Sequence, residues 1–117
     1  MASKKKTPFS TWQTRKDNGI EERYIRLGNS QLLDSAMLDL SDKAFKVYIY
    51  MLLESGGKRE FKFYRRTYRK IAGNSTFQRA KEELIQKGFI KEKQNNANLR
   101  KRNVYEFSDG WKSYIPP

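Results

Sequence analysis

Two runs of residues with helical spacing follow one another in the second half of the sequence, with a short break between them. The apolar residues of 64–72, and again those of 77–84, recur at spacings of three and four, which places each set on one face of a helix. Gly73–Asn74 separates the two runs, and we expect a tight turn there that needs a positive φ. Ser75 or Thr76 is expected to cap the second helix.

A strand pattern follows the second helix directly. Gly88 is expected to end that helix, and residues 89–94 and 103–108 then read as two strands joined by the polar loop Asn95–Lys101. Two short helices joined by a turn that contains glycine form a helix-turn-helix, and a β-hairpin placed directly after them is a wing. The pattern therefore predicts a winged helix-turn-helix.

The residues before this unit predict a longer helix and shorter elements. Ser41–Asp42 provides an N-cap and an acidic first turn, and Gly56–Gly57 is expected to stop the helix. Shorter elements are expected as a strand at Arg23–Leu27, a helix within 32–40 and a strand at Phe61–Phe63. The apolar stripe of the longer helix is predicted to be Phe45, Tyr48, Ile49, Leu52 and Leu53.

The predicted fold class is thus α+β, with about four helices and a two- or three-stranded antiparallel sheet. A length of 117 residues is enough for one domain. Residues 1–19 lack an apolar period and are interpreted as a flexible basic N-terminal arm, and residues 20–117 as the domain itself. Phe9 and Trp12 of the arm are candidates to dock when a partner is present.

Composition narrows the class of function. The chain holds 25 Lys and Arg against 13 Asp and Glu, a net charge of +12, and a domain this basic is expected to bind a polyanion, most commonly nucleic acid. It has no Cys and no His, so thiolate and imidazole chemistry is excluded, and we expect no enzyme, no metal and no cofactor. We find no apolar run long enough for a bilayer and no secretory signal, and we expect a cytoplasmic protein.

The charge is distributed unevenly along the chain. Residues 30–55 carry a net charge of −2, whereas residues 56–74 carry +6. This contrast predicts a structural helix followed by a face that binds nucleic acid.

Several segments resemble one family of DNA-binding proteins. The run Glu83–Ile90, "ELIQKGFI", is typical of winged helices, since a helix ends, a glycine turns the chain and an apolar pair opens the wing. From Ile25 to Trp111 the chain is similar to the winged helix-turn-helix domains of plasmids, phages and integrative elements of Gram-positive bacteria. The other segments that carry the resemblance are Leu40-Ser41 with Phe45, Tyr48 and Leu52, then Thr76-Phe77 with Arg79-Ala80, and last Asn103-Val104-Tyr105 with Trp111.

The resemblance implies a sequence-specific, double-stranded DNA-binding protein of a mobile genetic element. Replication initiators of this family usually carry a second domain, and repressors that sense a ligand usually carry an effector domain. A chain of this length is expected to have neither, which favours an accessory factor at a plasmid transfer or replication origin. The alternatives are a transcriptional repressor of the same fold, a non-specific single-stranded DNA- or RNA-binding module, and an adaptor that recruits a larger protein. Candidate partners beside DNA are a second copy of the chain, forming a homodimer, and a relaxase or a partition protein.

Four groups of residues are candidates for DNA contact. In the usual docking the second helix enters the major groove with its N-terminus first, where glutamine suits adenine and arginine suits guanine. Cations on the preceding segment neutralise phosphates, and a cationic wing or arm adds contacts in the minor groove or to the backbone. The candidates are Asn74, Ser75, Thr76, Gln78 and Arg79 on the second helix; Arg65, Arg66, Arg69 and Lys70 before it; Asn98, Arg100, Lys101 and Arg102 in the wing; and Lys4, Lys5 and Lys6 in the arm.

Two observations leave alternatives open. Glu82 and Glu83 lie one turn further along the second helix, where carboxylates repel phosphates, so either the helix inserts only its tip or the wing is the main reader. A plain solvated face with a Glu83–Lys87 bridge is the other interpretation of this pair. Separately, the rings of Phe61, Phe63 and Tyr64 among cations are compatible with a base-stacking platform for single strands, although packing in the core explains them too.

Overall fold

The computed structural model describes residues 9–19, 21–64, 68–94 and 103–117. Within these ranges the protein is α+β, as predicted, with helices packed on a three-stranded antiparallel sheet. The helices are α1 (Asn29–Leu32), α2 (Ser35–Leu38), α3 (Asp42–Ser55) and α4 (Asn74–Gln86), and the strands are β1 (Glu60–Phe63), β2 (Ile90–Gln94) and β3 (Asn103–Phe107).

Helix α3 begins and ends where the sequence predicts. The Ser41 hydroxyl accepts a hydrogen bond from the backbone N–H of Ala44 at 3.2 Å, and Gly56 ends the helix with a φ of 60°. The predicted stripe is wrong in part, because of its five residues only Tyr48 is fully buried. The small residues Ala44 and Ser55, which a count of large apolar side chains overlooks, let neighbouring elements approach. The buried face is Ala44, Val47, Tyr48, Met51 and Ser55.

The sheet has the order β1-β3-β2, so the hairpin strand β3 lies in the middle. Phe61 of β1 pairs with Tyr105 of β3, and its ring also stacks on Phe107 at a centroid distance of 4.5 Å. Because successive side chains of a strand alternate between faces, Phe61 and Phe63 point to the core while Lys62 is exposed. A register shift between Glu92 and Gln94 interrupts the pairing of β2 with β3.

Helix α4 buries the predicted residues Phe77, Ala80 and Leu84. The turn before it differs from the prediction, because the N-cap is Gly73 with a φ of −69° and Asn74 is already the first helical residue. Neither Ser75 nor Thr76 caps the helix. A glycine N-cap needs no positive φ and leaves the first backbone N–H groups of the helix without a side-chain acceptor.

The predicted helix over 64–72 is also wrong for the residues that the structure describes. From Tyr68 to Ile71 the chain forms a 3₁₀-type turn, in which the Ile71 N–H donates to the Tyr68 carbonyl at 2.9 Å. Turns of this kind are frequent as short connectors between regular elements.

Two expectations for the segment before α3 need correction. Arg23–Leu27 pairs with no described strand; the Arg23 guanidinium donates instead to the Leu53 carbonyl at 2.8 Å, and Leu27 packs on the core. The helix predicted within 32–40 is shorter than expected: only α2 lies inside these bounds, where Asp34 caps it by accepting a hydrogen bond from the Ala36 N–H, and α1 precedes it and ends at Leu32.

Segments near both termini pack on the rest of the protein. Trp111 stacks on Phe89 with ring planes 8° apart, and Tyr114 packs against the core. In the described part of the predicted arm, Thr11–Gln13 forms a 3₁₀ turn and the Phe9 ring lies 5.7 Å from that of Tyr24. The arm boundary after residue 19 stays a prediction.

Candidate nucleic-acid interface

The first two turns of α4 present polar and cationic side chains to solvent. Asn74, Ser75, Gln78 and Arg79 are exposed, and Thr76 is half-buried. They are exposed because Phe77, Ala80 and Leu84 fix the opposite side of the helix against the core. The structure therefore brings the five residues predicted on the second helix together at its N-terminal end.

Glu83 is turned away from this exposed face. Its carboxylate accepts hydrogen bonds from the backbone N–H and the hydroxyl of Ser41, both at 2.7 Å, and contacts the Lys87 ammonium at 3.1 Å. Burial alone raises the pKa of Glu83, but the hydrogen bonds from Ser41 and Lys87 outweigh burial and hold the pKa below its ordinary value. The expected Glu83–Lys87 bridge is confirmed, and Glu83 links α4 to the start of α3. Only Glu82 of the acidic pair remains exposed.

Lys87 anchors the C-terminal end of α4. Its ammonium contacts the carboxylate of Asp39 at 3.0 Å as well as Glu83, and Asp39 also accepts a hydrogen bond from the Tyr114 hydroxyl at 3.1 Å. Burial by itself lowers the pKa of Lys87, and the two carboxylates reverse this and raise it. The Lys87 hydrogen bond, against an opposing effect of burial, lowers the pKa of Asp39. The cluster joins the C-terminal end of α4 to Asp39, which follows α2, and to Tyr114 near the C-terminus.

The turn before α4 is held by an aromatic anchor. The ring of Tyr68 stacks on Phe63 at 5.1 Å, and its hydroxyl donates to Glu54 on α3 at 2.6 Å. Burial, followed by the hydrogen bond to Glu54, raises the pKa of Tyr68 to about 12. Arg69 and Lys70 follow this anchor and are exposed, as expected of residues that contact a DNA backbone.

An ion pair that the sequence analysis missed joins α4 to the hairpin. Lys81 is buried, with 8% of its surface exposed, and its ammonium lies 3.1 Å from the Glu92 carboxylate on β2. The signal was present in the sequence, since Lys81 falls between Phe77 and Leu84 on the buried face of the helix. A charge at an apolar position requires a partner.

The rings proposed as a stacking platform are mostly in the core. Phe61 and Phe63 are 6% and 4% exposed, and Phe63 also stacks on Phe77 of α4. Tyr64 is 43% exposed. Core packing therefore accounts for the two phenylalanines, and they are not available to stack on bases.

The remaining candidates lie outside the described residues. They are Arg65 and Arg66 before α4, Asn98, Arg100, Lys101 and Arg102 in the loop between β2 and β3, and Lys4, Lys5 and Lys6 in the arm. Nothing in the structure places them, and they stay predictions.

Within residues 9–19, 21–64, 68–94 and 103–117, we find no group of acidic side chains that could hold a metal ion. In the same part of the chain, no helix is long and apolar enough to cross a membrane.

Comparisons with known proteins add no family to this description. No protein-family model matches the chain, and neither a curated protein nor a solved structure matches it.

Proposed function

We propose that this chain is a sequence-specific, double-stranded DNA-binding protein with a winged helix-turn-helix fold. In this proposal α4 is the DNA-reading helix, the 3₁₀-type turn from Tyr68 to Ile71 stands where the first helix of the pair was predicted, and β2 and β3 form the wing. The observation that carries the proposal is the exposed N-terminal end of α4, which combines Gln78 and Arg79 and from which Glu83 is turned away.

The dimensions of α4 suit the major groove. Its exposed end is free of large apolar side chains, and a single helix fits a groove about 12 Å wide. Gln78 is placed to pair with an adenine edge and Arg79 with a guanine edge, each through two hydrogen bonds. Asn74, Ser75 and Thr76 lie at the tip that enters first, where the unpaired backbone N–H groups of the helix favour a phosphate or a base acceptor.

The cations around α4 supply affinity without sequence preference. Arg69 and Lys70 are exposed directly before the helix and are assigned to phosphates, together with Arg65 and Arg66. The wing cations are assigned to the minor groove or its phosphates, and the arm lysines to a salt-sensitive, non-specific contribution.

The cellular role follows from the resemblance rather than from the fold. We propose an accessory factor that acts in the cytoplasm at a transfer or replication origin of a mobile genetic element and carries out no catalysis. A homodimer, and a relaxase or partition protein as a further partner, belong to the same proposal. A repressor of the same fold would use the same residues on DNA.

Binding to three nucleic acids tests the proposal. Labelled duplex from the intergenic DNA beside the gene, a scrambled duplex of equal composition and a single strand are titrated with the protein at about 150 mM salt, because lower salt exaggerates non-specific binding. Preference for the first duplex by about 1,000-fold or more, roughly the lower end of the range for specific binders, supports the proposal. Equal affinity for all three would replace it with a non-specific basic module.

A further inference from the structure

Lys43 stands beside the predicted phosphate-binding residues although it is far from them in sequence. It lies in the first turn of α3 and is exposed, and its ammonium donates a hydrogen bond to the Ile71 carbonyl at 3.2 Å. Ile71 directly follows Arg69 and Lys70, which are exposed as well. The fold thus brings a cation of α3 to the turn that precedes α4.

The contact leaves the Lys43 ammonium able to bind an anion. A lysine ammonium has three N–H donors, and the Ile71 carbonyl takes one of them. Because this hydrogen bond already restricts a long side chain, less rotamer entropy remains to be lost when the ammonium meets a ligand. The neighbouring carboxylate of Asp42 lies in the first turn of α3, where the helix dipole offsets part of its charge.

We propose that Lys43 binds a DNA phosphate and extends the backbone-contacting surface of Arg69 and Lys70 onto α3. The inference rests on the proposed function, since it adds a contact to the same interface. The sequence conceals this residue, because residues 30–55 carry a net charge of −2 and were assigned to the structural part of the protein.

A purely structural role for Lys43 is the rival explanation. In that case the hydrogen bond to Ile71 only supports the turn, and its loss changes stability or the placement of α4. A phosphate contact has a separate signature, because each neutralised phosphate releases condensed counterions and steepens the dependence of affinity on salt.

The test is the slope of log affinity against log salt for duplex DNA, measured with Lys43→Gln, Lys43→Arg and Lys58→Gln. Lys58 belongs to the basic segment 56–74, but it is an exposed lysine just beyond the opposite end of α3, about 20 Å from Lys43 for a helix of this length, and so lies apart from Arg69 and Lys70. We expect Lys43→Gln to make the slope shallower by about 1, and Lys43→Arg and Lys58→Gln to keep the slope of the unmodified protein. Thermal unfolding of each variant verifies that the fold is retained, and Lys43→Met replaces Lys43→Gln if it is not.

The outcomes separate this inference from the proposed function. Duplex binding with an unchanged slope for Lys43→Gln overturns the role of Lys43 alone. A shallower slope for Lys58→Gln that equals the change for Lys43→Gln also overturns it, because the effect is then one of net charge. A protein that fails to bind duplex DNA at all overturns both.

Discussion

The ammonium of Lys81 and the carboxylate of Glu92 form an ion pair 3.1 Å long, with side chains only 10% and 21% exposed. One residue belongs to α4 and the other to β2, so the pair connects the helix assigned to the major groove with the hairpin assigned to the wing. A buried ion pair adds little net stability by itself, but it is costly to break from one side. It ties α4 to β2, the two elements that contact DNA together in the proposed function.

Lys81→Met is expected to lower the free energy of unfolding by about 2 to 3 kcal/mol, because Glu92 is left as a largely buried charge without its partner. Urea unfolding at neutral pH measures the change. The double variant Lys81→Met/Glu92→Leu is the control and is expected to recover most of the loss. A single variant as stable as the unmodified protein would contradict the role assigned to the pair.

Gly88→Ala is expected to cost roughly 3 kcal/mol or more. Gly88 has a φ of 85°, and a Cβ atom there would lie 2.5 Å from the Gly110 carbonyl carbon. The same glycine lets the Phe89 N–H donate to the Leu84 carbonyl at 2.9 Å and end α4 in a Schellman motif. Both the backbone conformation and the close approach therefore oppose a side chain.

Gly57→Ala is the matched control, because Gly57 has a φ of 87° and open space around it. It retains the cost of the backbone conformation, about 1 kcal/mol, without the steric clash. Equal losses for the two variants in urea unfolding would show that Gly88 does not pack tightly on Gly110.

Glu83→Gln is expected to reduce the acid sensitivity of the fold. The pKa of Glu83 is lower in the folded protein than the ordinary 4.5, so its ionised form contributes stability that is present above 4.5 and is lost as the pH falls through the folded value. The variant lacks this contribution at every pH. Because its neutral side chain no longer accepts charged hydrogen bonds from Ser41, its free energy of unfolding at neutral pH is expected to be lower by about 1 kcal/mol.

Unfolding midpoints in urea, measured at several values between neutral pH and about pH 3, provide the comparison. Glu82→Gln removes the same charge from the exposed neighbour and is expected to keep the acid sensitivity of the unmodified protein. Parallel pH profiles for the unmodified protein and Glu83→Gln would show that the contact with Ser41 does not stabilise the fold.

The sequence predicted the parts of the fold that depend on interactions within one segment of the chain. The N-cap of α3 at Ser41 and the buried residues of α4 follow from side-chain chemistry and spacing. The turn around Tyr68 was wrongly predicted to be part of a helix. The spacing of the apolar residues of 64–72 is compatible with a 3₁₀ turn as well as with an α-helix.

Contacts between distant residues escaped the sequence analysis. Glu83 was expected to face Lys87 alone, and its second partner, Ser41, lies 42 residues earlier in the chain. The spacing within α4 shows that Lys81 needs a partner but does not identify Glu92, and no local pattern indicates the approach of Lys43 to Ile71. These contacts depend on how α3, α4 and the sheet pack, which no spacing within one segment reveals.

Base preference at the position assigned to Arg79 shows whether α4 reads the sequence of the DNA. Duplexes with a randomised core are selected for binding by the unmodified protein and by Arg79→Ala, with Arg59→Ala, an exposed arginine beside β1, as the control for charge. For the unmodified protein and for Arg59→Ala, the expected result is one enriched motif. For Arg79→Ala, we expect the preference for guanine to be lost at a single base pair, and this lost discrimination is worth about 1 to 3 kcal/mol. No enriched motif for the unmodified protein, or an identical motif for Arg79→Ala, would contradict sequence reading by α4.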